Sequence, residues 1–486
     1  MVILSIFSRG DFMRVLEIFE EMCALPHGSG DTAGMADFIE GFAIKAGYEV
    51  RRDEAGNLLA NPVGFSGGDS KLCFQSHYDM VCVGEAAKKQ ALRLEYQTIE
   101  STNSPHPLPN PQKQTWLKAK DSSLGADNGM GVAIMLYFIE KSLDAEFLFT
   151  NDEEIGLLGA KDLGLAIKSG VLINLDSEVL GEVTIGCAGG YTYSFEGCFV
   201  TQALDEGLHY YSLEAKNFVG GHSGLDIHRK DRRAQNAVLE SGLVLESMKA
   251  GDIKVIEWQG GEKSNSIPMH SAVKIASYAP LEDDFKDLEF FSLKRLDPMD
   301  DAKGVDFKNL WNLLSDIKVG VLGSRDGAVI DSLNLSKLEL KGGNLKLAFM
   351  GRSNERPLLD ANKENLKATL LKQREGLSMA KVDLEEDYSP WEKASVDSKG
   401  VLACMVASMQ EGLSPLGLEA KVVELHAGLE CGILLESLSR LGCNGIYALS
   451  IGPTICYPHS LKECVWVESV EVILKVLEAF IAKFNR

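Results

Sequence analysis

The sequence predicts an α/β domain with a mostly parallel sheet, interrupted by an inserted α+β domain of the ferredoxin-like type. Short apolar strands alternate with helical stretches in the first third of the chain, which is typical of a layered α/β domain. From Gly189 the sequence instead becomes rich in strand-like segments around two helical stretches. The alternation of helices and strands resumes after Trp391, so one domain is predicted to be interrupted by another.

The first third contains the elements that define the sheet. Apolar residues recur at helical spacing over residues 11–25, and Asp31 is suited to cap a second helix that ends near Gly47. Strands are predicted at 71–75, 145–150 and 171–175, with helices at 128–141 and 159–169 between them.

The interrupting segment has a different pattern, roughly β-α-β-β-α-β. It has helical stretches at 232–249 and 361–377, a strand at 379–384, a Gly-Gly-Asn turn at 342–344 and an insertion near 281–320. Helix and strand signals then return at 401–411, 421–425, 445–450 and from 467 onward. The predicted domains are 1–188 together with 394–486, and 189–393.

Composition excludes several classes of protein. The chain has 486 residues, 45% hydrophobic and 24% charged, as in ordinary globular proteins, and no apolar run is long enough for a membrane helix. The net charge of −21 disfavours nucleic acid and anionic membranes as partners. Ten scattered cysteines without paired spacing indicate a reducing compartment, so we expect a cytoplasmic protein.

Polar residues follow several predicted strands, where ligands of open α/β sheets gather. His77 and Asp79 lie on one face of an extended chain, so the carboxylate can fix the imidazole tautomer. Asp127 and Asn128 precede an apolar helix and either can serve as its N-cap. Their glycine neighbours equally permit the close approach that a carboxylate shared by two ions needs.

Two imidazoles and three carboxylates are predicted to converge at one end of the sheet: His77, Asp127, Glu154, Asp176 and His459. This set can hold two zinc or manganese ions if Asp127 bridges them. The sequence therefore predicts a two-metal site.

Glu153 stands beside the proposed ligand Glu154. Adjacent acids most often form a solvated surface, but a glutamate not needed as a ligand can also act as general base and acid. Both carboxylates can reach one pocket only if the chain leaves strand geometry there, and Gly156 is compatible with such a turn.

Eight segments, in order, resemble those of the aminoacyl-histidine dipeptidases, or cytosolic nonspecific dipeptidases, of the M20 metallopeptidase clan. The segments are SHYDM, SLGADNG, TNDEEIGLLGA, INLDSE with GEVTIGCAGG, GGHSGLDIH, KSNSIP, ELHAGLECG and SIGPTICYPHS. The resemblance runs from about Pro26 to the end of the sequence.

The resemblance implies specific roles for these residues. His77, Asp127 and Asp176 would bind one metal ion, and Asp127, Glu154 and His459 the other. Glu153 would be the general base, and Asp79 would orient His77.

The same resemblance implies that the inserted domain is a lid that can form a homodimer. His222 would reach the substrate carbonyl or the oxyanion, although its glycine neighbours fit a turn equally well. Asn265 and Arg352 would hold the substrate carboxylate, and His426 and Gly432 would line the substrate site.

The expected function is hydrolysis of Xaa-His and other dipeptides with two divalent ions, zinc first and manganese or cobalt as alternatives. An N-acyl amino acid amidohydrolase and a non-catalytic metal-binding protein are the other hypotheses. One departure from the family is Asp121-Ser122-Ser123, where a Gly-Thr-Thr run is common, so an extra carboxylate is expected near the site.

Overall fold

A computed structural model describes residues 9–109, 112–248, 252–283, 285–287, 289–299, 301–373, 377–393 and 400–484. The chain divides into two compact units. The first unit consists of Met1–Gly186, Lys393–Glu424 and Leu429–Arg486, and the second of Cys187–Glu392 and Leu425–Gly428. The predicted boundary at 394 lies outside the described residues, and the grouping of 425–428 with the second unit was not anticipated from the sequence.

The first unit begins with α1 (Arg9–Cys23), α2 (Ala33–Lys45), β1 (Tyr48–Arg52), β2 (Leu58–Pro62), β3 (Gly68–His77), β4 (Leu94–Glu100), β5 (Lys113–Ala119), α3 (Ala126–Glu140), β6 (Glu146–Thr150), α4 (Leu158–Lys161), β7 (Ser169–Asn174) and β8 (Glu182–Cys187). The second unit contains β9 (Gly189–Cys198), β10 (Gln202–Ala203), β11 (His209–Ala215), β12 (Gly221–His222), α5 (Ala237–Ser247), β13 (Ile253–Gly260), β14 (Ser266–Ile267), β15 (Ser271–Ser277), β16 (Phe291–Leu296), β17 (Lys303–Asp306), α6 (Phe307–Ser315), β18 (Gly320–Arg325), β19 (Ala328–Lys341), β20 (Asn344–Ser353), α7 (Arg356–Gln373) and β21 (Ser378–Tyr388). The first unit then resumes with α8 (Val401–Leu413), β22 (Lys421–Leu425), α9 (Glu430–Arg440), β23 (Tyr447–Ser450), β24 (Ile455–Cys456), β25 (Cys464–Trp466) and α10 (Val467–Phe484).

The main sheet of the first unit is mixed, with strand order β1-β2-β6-β3-β7-β23-β8-β22. Strand β3 is parallel to both β6 and β7, and β7 is parallel to β23. The pairs β1/β2, β2/β6 and β23/β8 are antiparallel. The prediction of an α/β fold is confirmed, but a mostly parallel sheet describes only its four central strands.

Helix α3 forms the centre of the first core. All its residues from Ala126 to Ile139 are buried, because its sequence is apolar on every face. It approaches α1 closely at Gly129, where a Cβ atom would lie 2.9 Å from the Phe19 ring. The helix is covered on all sides, and Asp127 lies at its start, where the backbone is not helical (φ −84°, ψ 104°).

The second unit has its own core and a large sheet of order β16-β11-β15-β13-β19-β20-β9-β21. Neighbouring strands in this order are antiparallel, for example β19 with β20 and β9 with β20. The predicted insertion at 281–320 supplies strands β16 and β17 and helix α6, whose N-cap Asp306 accepts hydrogen bonds from Lys308 and Asn309 N–H groups. This segment therefore extends the sheet of the second unit.

Two local predictions were wrong, and one hairpin was missed. The helix expected at 159–169 is only the single turn α4, and Gly164 beyond it donates its N–H to Asp53. Thr32, not Asp31, occupies the N-cap position of α2. Hairpin β1/β2 was missed because Arg51 and Arg52 interrupt its apolar pattern. Within the described residues, no helix is both long and apolar enough to span a bilayer.

Candidate metal centre

The central parallel strands carry the predicted site residues at their carboxyl ends. Strand β3 ends at His77, and Glu153 and Asp176 follow β6 and β7 within a few residues. Because β3, β6 and β7 are parallel neighbours, these positions meet at one edge of the sheet.

One group of potential metal ligands consists of His77, Asp127 and Asp176, whose ligand atoms all lie within 4.8 Å of one another. His77 Nε2 is 3.3 Å from Asp127 Oδ1 and 3.5 Å from Asp176 Oδ1. The His77 side chain is almost completely buried, with 1% exposed. Asn128 donates to Asp176 Oδ1 and to the Leu175 carbonyl, which fixes the orientation of the Asp176 carboxylate.

A second group consists of Asp127, Glu154 and His459, again within 4.8 Å of one another. His459 Nε2 lies 3.1 Å from Asp127 Oδ2 and 2.8 Å from Glu154 Oε1. The two oxygens of Asp127 thus face different histidines, Oδ1 toward His77 and Oδ2 toward His459. This is the arrangement that a bridging carboxylate requires.

The electrostatics of these groups fit divalent cations. Burial, reinforced by neighbouring carboxylates, raises the pKa of both Glu154 and Asp176. Hydrogen bonds to Asp127 and Glu154 raise the pKa of His459 to about 11. Bound protons therefore balance the negative charge of these groups in the metal-free protein. Imidazole and carboxylate groups are common ligands of zinc and manganese, and binding of such an ion would release these protons.

Hydrogen bonds to Asp79 hold Glu153 and Glu154 so that both side chains lie at one site. Asp79 Oδ1 accepts the Glu153 N–H at 3.0 Å and its Oδ2 accepts the Glu154 N–H at 3.2 Å. The same carboxylate lies 3.3 Å from His77 Nδ1 and accepts the Ser29 hydroxyl at 2.8 Å. These bonds hold the chain in a turn after β6, where Asp152 has a φ of 51°. The expected departure from strand geometry is therefore present.

Glu153 is partly buried beside the ligand groups. Its side chain, His77 and Glu154 form a third group of possible ligands within 4.8 Å. Burial is the main cause that raises the pKa of Glu153 well above its usual value, and the charges of Asp176 and Glu154 add to it. A carboxyl group that holds a proton more strongly is better suited to accept one near neutral pH.

Sequence reasoning missed an N-terminal segment that holds the ligand loops. Besides the Ser29 bond to Asp79, Gly30 N donates to Asp152 Oδ1 at 2.6 Å and Thr32 Oγ1 donates to Asn151 Oδ1 at 2.7 Å. The signal was the polar, glycine-rich run His27–Thr32 directly before α2.

A buried polar row beneath the ligands was also missed. Glu430, with 0% exposed, accepts from Gln75 Nε2 at 2.6 Å and from Thr150 Oγ1 at 2.9 Å. Gln75 Oε1 accepts from Asn174, and Asn174 Oδ1 accepts from Ser450. Gln75 and Asn174 each stand two residues before a ligand, so polar residues inside apolar strands were the available signal.

The second unit contains a separate polar cluster, which we call the cationic cluster: Arg352, Ser223, Tyr388 and His222. Arg352 is 4% exposed, with Nε 3.3 Å from Ser223 Oγ and Nη1 3.0 Å from the Tyr388 hydroxyl. Across the described part of the chain, no carboxylate forms an ion pair with Arg352 within 4.0 Å. A buried guanidinium without a counter-ion favours the binding of an anion.

His222 has a fixed tautomer. Its Nδ1 accepts the N–H groups of Gly224 at 3.2 Å and Leu225 at 3.1 Å, so the proton of the neutral ring resides on Nε2. Burial, followed by the charge of Arg352, lowers the pKa of His222 to about 4. His222 is therefore both part of a turn and a neutral hydrogen-bond donor.

The remaining predicted substrate residues differ in burial and in hydrogen bonding. His426 is buried, and its two ring nitrogens pair with Ser332 Oγ at 2.7 Å and Asn354 Oδ1 at 2.6 Å, which leaves neither for a ligand. Asn265 is exposed, and its carbonyl accepts the Ser223 N–H at 2.9 Å. Gly432 is buried in the first turn of α9, in the first unit.

The segment Asp121-Ser122-Ser123, which departs from the family pattern, forms hydrogen bonds with residues 83–86. Ser122 Oγ and Ser123 Oγ accept the N–H groups of Ala86 at 2.9 Å and Val83 at 3.0 Å. Asp121 itself is exposed, and its carbonyl accepts the Glu85 N–H at 3.0 Å. The two serines thus have a structural role.

Comparisons with known proteins indicate the kind of enzyme that the chain resembles. No family model matches the chain. It is 28% identical to the cytosol non-specific dipeptidase of Escherichia coli (strain K12) over 483 residues, 93% of this chain and 94% of that protein. The crystal structure of aminoacylhistidine dipeptidase from Vibrio alginolyticus matches with a TM-score of 0.73 and 25% identity, covering 96% of each chain. The chain is a hydrolase that resembles the aminoacylhistidine dipeptidases.

A more distant solved structure shares the fold of this hydrolase. A tripeptidase from Staphylococcus aureus matches with a TM-score of 0.53 and 16% identity, over 97% of this chain and 98% of that one. At that level of identity only the fold is shared. The resemblance inferred from the eight sequence segments is confirmed, and it extends over nearly the whole chain.

Proposed function

We propose that this protein is a metal-dependent dipeptidase that hydrolyses Xaa-His and other dipeptides. One observation carries the proposal: Asp127 faces His77 with one oxygen and His459 with the other, while Glu153 stands beside both ligand groups without being needed in either. The similarity to a cytosol non-specific dipeptidase and to an aminoacylhistidine dipeptidase supports the substrate class and a cytoplasmic location.

The ligands would hold two divalent cations, for which we propose zinc. His77, Asp127 and Asp176 would hold one, and Asp127, Glu154 and His459 the other. Bound there, the cations would lower the pKa of a water molecule and polarise the peptide carbonyl.

Glu153 accepts the proton of the attacking water and delivers it to the leaving amine. Asp79 accepts hydrogen bonds from the Glu153 and Glu154 N–H groups and so fixes the backbone of both residues. In this conformation the Glu153 side chain is available for proton transfer and the Glu154 side chain for metal binding. Asp79 also faces Nδ1 of His77, which leaves Nε2 of that ring as the ligand atom.

The second unit supplies groups for the ends of the substrate. In our proposal the buried guanidinium of Arg352 pairs with the substrate carboxylate, with Asn265 beside it, and the Nε2–H of His222 donates to the oxyanion. As the family resemblance implies, we assign this unit the part of a ferredoxin-like lid that can form a homodimer. His426 and Gly432 keep their proposed place as lining residues.

The test is hydrolysis of a substrate panel by protein stripped of metal and then reloaded with zinc, manganese or cobalt. The panel contains Xaa-His dipeptides, other dipeptides, tripeptides and N-acetyl amino acids. We expect metal-dependent cleavage of dipeptides alone. Cleavage of N-acetyl amino acids instead would make the protein an amidohydrolase, and no cleavage by the fully loaded protein would leave a metal-binding protein without this activity.

A further inference from the structure

Glu463 is a buried carboxylate that has no part in the proposed chemistry. It stands immediately before β25 and is 2% exposed. Its Oε2 accepts the Leu124 N–H at 2.9 Å and its Oε1 accepts the Ala126 N–H at 2.8 Å. Both oxygens are thus used to hold three consecutive residues of backbone.

The location of this carboxylate is electrostatically unfavourable. Burial, with a contribution from the charge of Asp127, raises the pKa of Glu463 to about 7. A glutamine would avoid this cost, but only one of its two terminal atoms accepts hydrogen bonds, so it could not accept one N–H group at each position. A carboxylate at this buried position therefore indicates that the Leu124 and Ala126 N–H groups need two acceptor oxygens.

The two ends of this contact are both attached to metal-ligand positions. Ala126 directly precedes Asp127, and Gly125 between the bonded residues has a left-handed φ of 70°. At the other end, Glu463 closes the loop that begins near Tyr457 and His459, both with left-handed φ values of 56° and 58°. The Glu463 N–H also donates to the Ser460 carbonyl at 3.2 Å.

We propose that Glu463 is a positioning residue that fixes Asp127 relative to His459 and so sets the affinity for the ion held by Asp127, Glu154 and His459. This inference rests on the proposed two-metal function. The His459 side chain is 46% exposed, so packing alone does little to hold it. The carboxylate clamp supplies the constraint that packing does not.

A control is available in the main sheet of the first unit. Glu146 is 0% exposed and accepts the N–H groups of Lys168 and Ser169, both at 2.8 Å. It stands at the start of β6, whereas the ligand positions follow the end of that strand at Thr150. Both bonds end on Oε2, so Glu146→Gln removes the charge of a buried carboxylate that accepts backbone N–H groups without touching either ligand loop.

The experiment is zinc titration of chelator-stripped protein, measured by calorimetry and by competition with a chromophoric chelator. Wild type, Glu463→Gln, Glu463→Asp and Glu146→Gln are compared, with thermal unfolding of each metal-free protein. We expect two tight ions in wild type and in Glu146→Gln. In Glu463→Gln we expect the ion held by Asp127, Glu154 and His459 to bind about 10- to 100-fold more weakly, as for groups that orient metal ligands, and the other ion, which shares only Asp127, to be affected much less.

Each outcome has a distinct meaning. Glu463→Asp keeps both acceptor oxygens, so it should retain part of the second affinity, and it serves as the test if Glu463→Gln does not fold. Two ions bound with wild-type affinity in the Glu463 variants, or both ions weakened equally, would overturn the inference. If wild type binds fewer than two ions, the proposed two-metal function fails with it.

Discussion

The metal centre of the first unit and the cationic cluster of the second unit use burial in opposite ways. In the metal centre, buried carboxylates lie close together, and burial, with the charge of Asp127, raises the pKa values of Glu154 and Asp176. Around the cationic cluster, burial and then the charge of the Arg352 guanidinium lower the pKa values of His222 and the neighbouring His426 to about 4 and about 3. One region requires cations and the other an anion. A zwitterionic substrate with a free carboxylate matches the second requirement.

The sharpest test of the metal centre is the pair Glu153→Gln and Glu154→Gln. Removing the proton acceptor should lower kcat by about 10²–10⁴-fold, because general acid-base catalysis contributes that much. Metal content should stay at wild type in Glu153→Gln and fall in Glu154→Gln. Steady-state kinetics with metal analysis measures both, and a Glu153→Gln enzyme within about tenfold of wild-type kcat would remove Glu153 from the proton step.

The cationic cluster is tested by Arg352→Met, with Arg352→Lys retaining the charge but not the planar guanidinium. Loss of charge-assisted hydrogen bonds worth about 1.5–3 kcal/mol should raise KM for dipeptides roughly 10- to 100-fold, with Arg352→Lys in between. The matched substrate is a dipeptide amide, which lacks the carboxylate and should be cleaved equally by all three proteins. An equal loss on the amide would assign Arg352 a structural role instead.

The metal-free protein should lose stability as the pH rises from about 5 to 9. The raised pKa values of Glu154 and Asp176 mean that the folded state binds more protons than the unfolded state, so stability falls with pH. His459 acts in the same direction, because its contribution is complete below its unfolded pKa of 6.5 and is lost toward about 11.

Thermal unfolding with and without zinc measures this effect. Bound metal displaces those protons, so the melting-temperature difference between loaded and metal-free protein should grow with pH over the same range. A difference that is constant with pH would contradict the assignment of these groups as ligands.

The smallest effect is expected from Asp121→Asn. The Asp121 side chain is exposed and the contact of this residue with Glu85 is made by its backbone carbonyl. We expect kcat/KM to change by less than about twofold, as for other surface substitutions. A larger change would show that this carboxylate influences the substrate, as the departure from the family pattern first indicated.

Strong local patterns allowed the sequence to predict much of the fold. Helix α3 and strands β3, β6 and β7 are continuous apolar runs, and ligands at the strand ends followed from their parallel order. Strands such as β16, with the sequence FSLKRL, carry no comparable signal, since pairing with β11 decides their conformation. Local patterns fail where partners distant in sequence determine structure.

The same limit applies to the site. Residue type and position indicated the proposed ligands, but nothing in the sequence connects Glu463 with Leu124 or Ser29 with Asp79. Both contacts join residues far apart along the chain, and the first acts through a backbone N–H group, which every residue except proline possesses. Supporting residues of this kind became visible only once the loops were in place.

The first unit is built from three separate stretches of chain, and this has a consequence for how the protein is made. His77, Asp127 and Asp176 precede the second unit in the sequence, whereas β23 and His459 follow it. On the ribosome, domains generally fold as units as they emerge, so the second unit can fold before the central sheet receives β23. The nascent protein should therefore acquire the proposed ligands of one ion before the second unit is made and complete those of the other only after it.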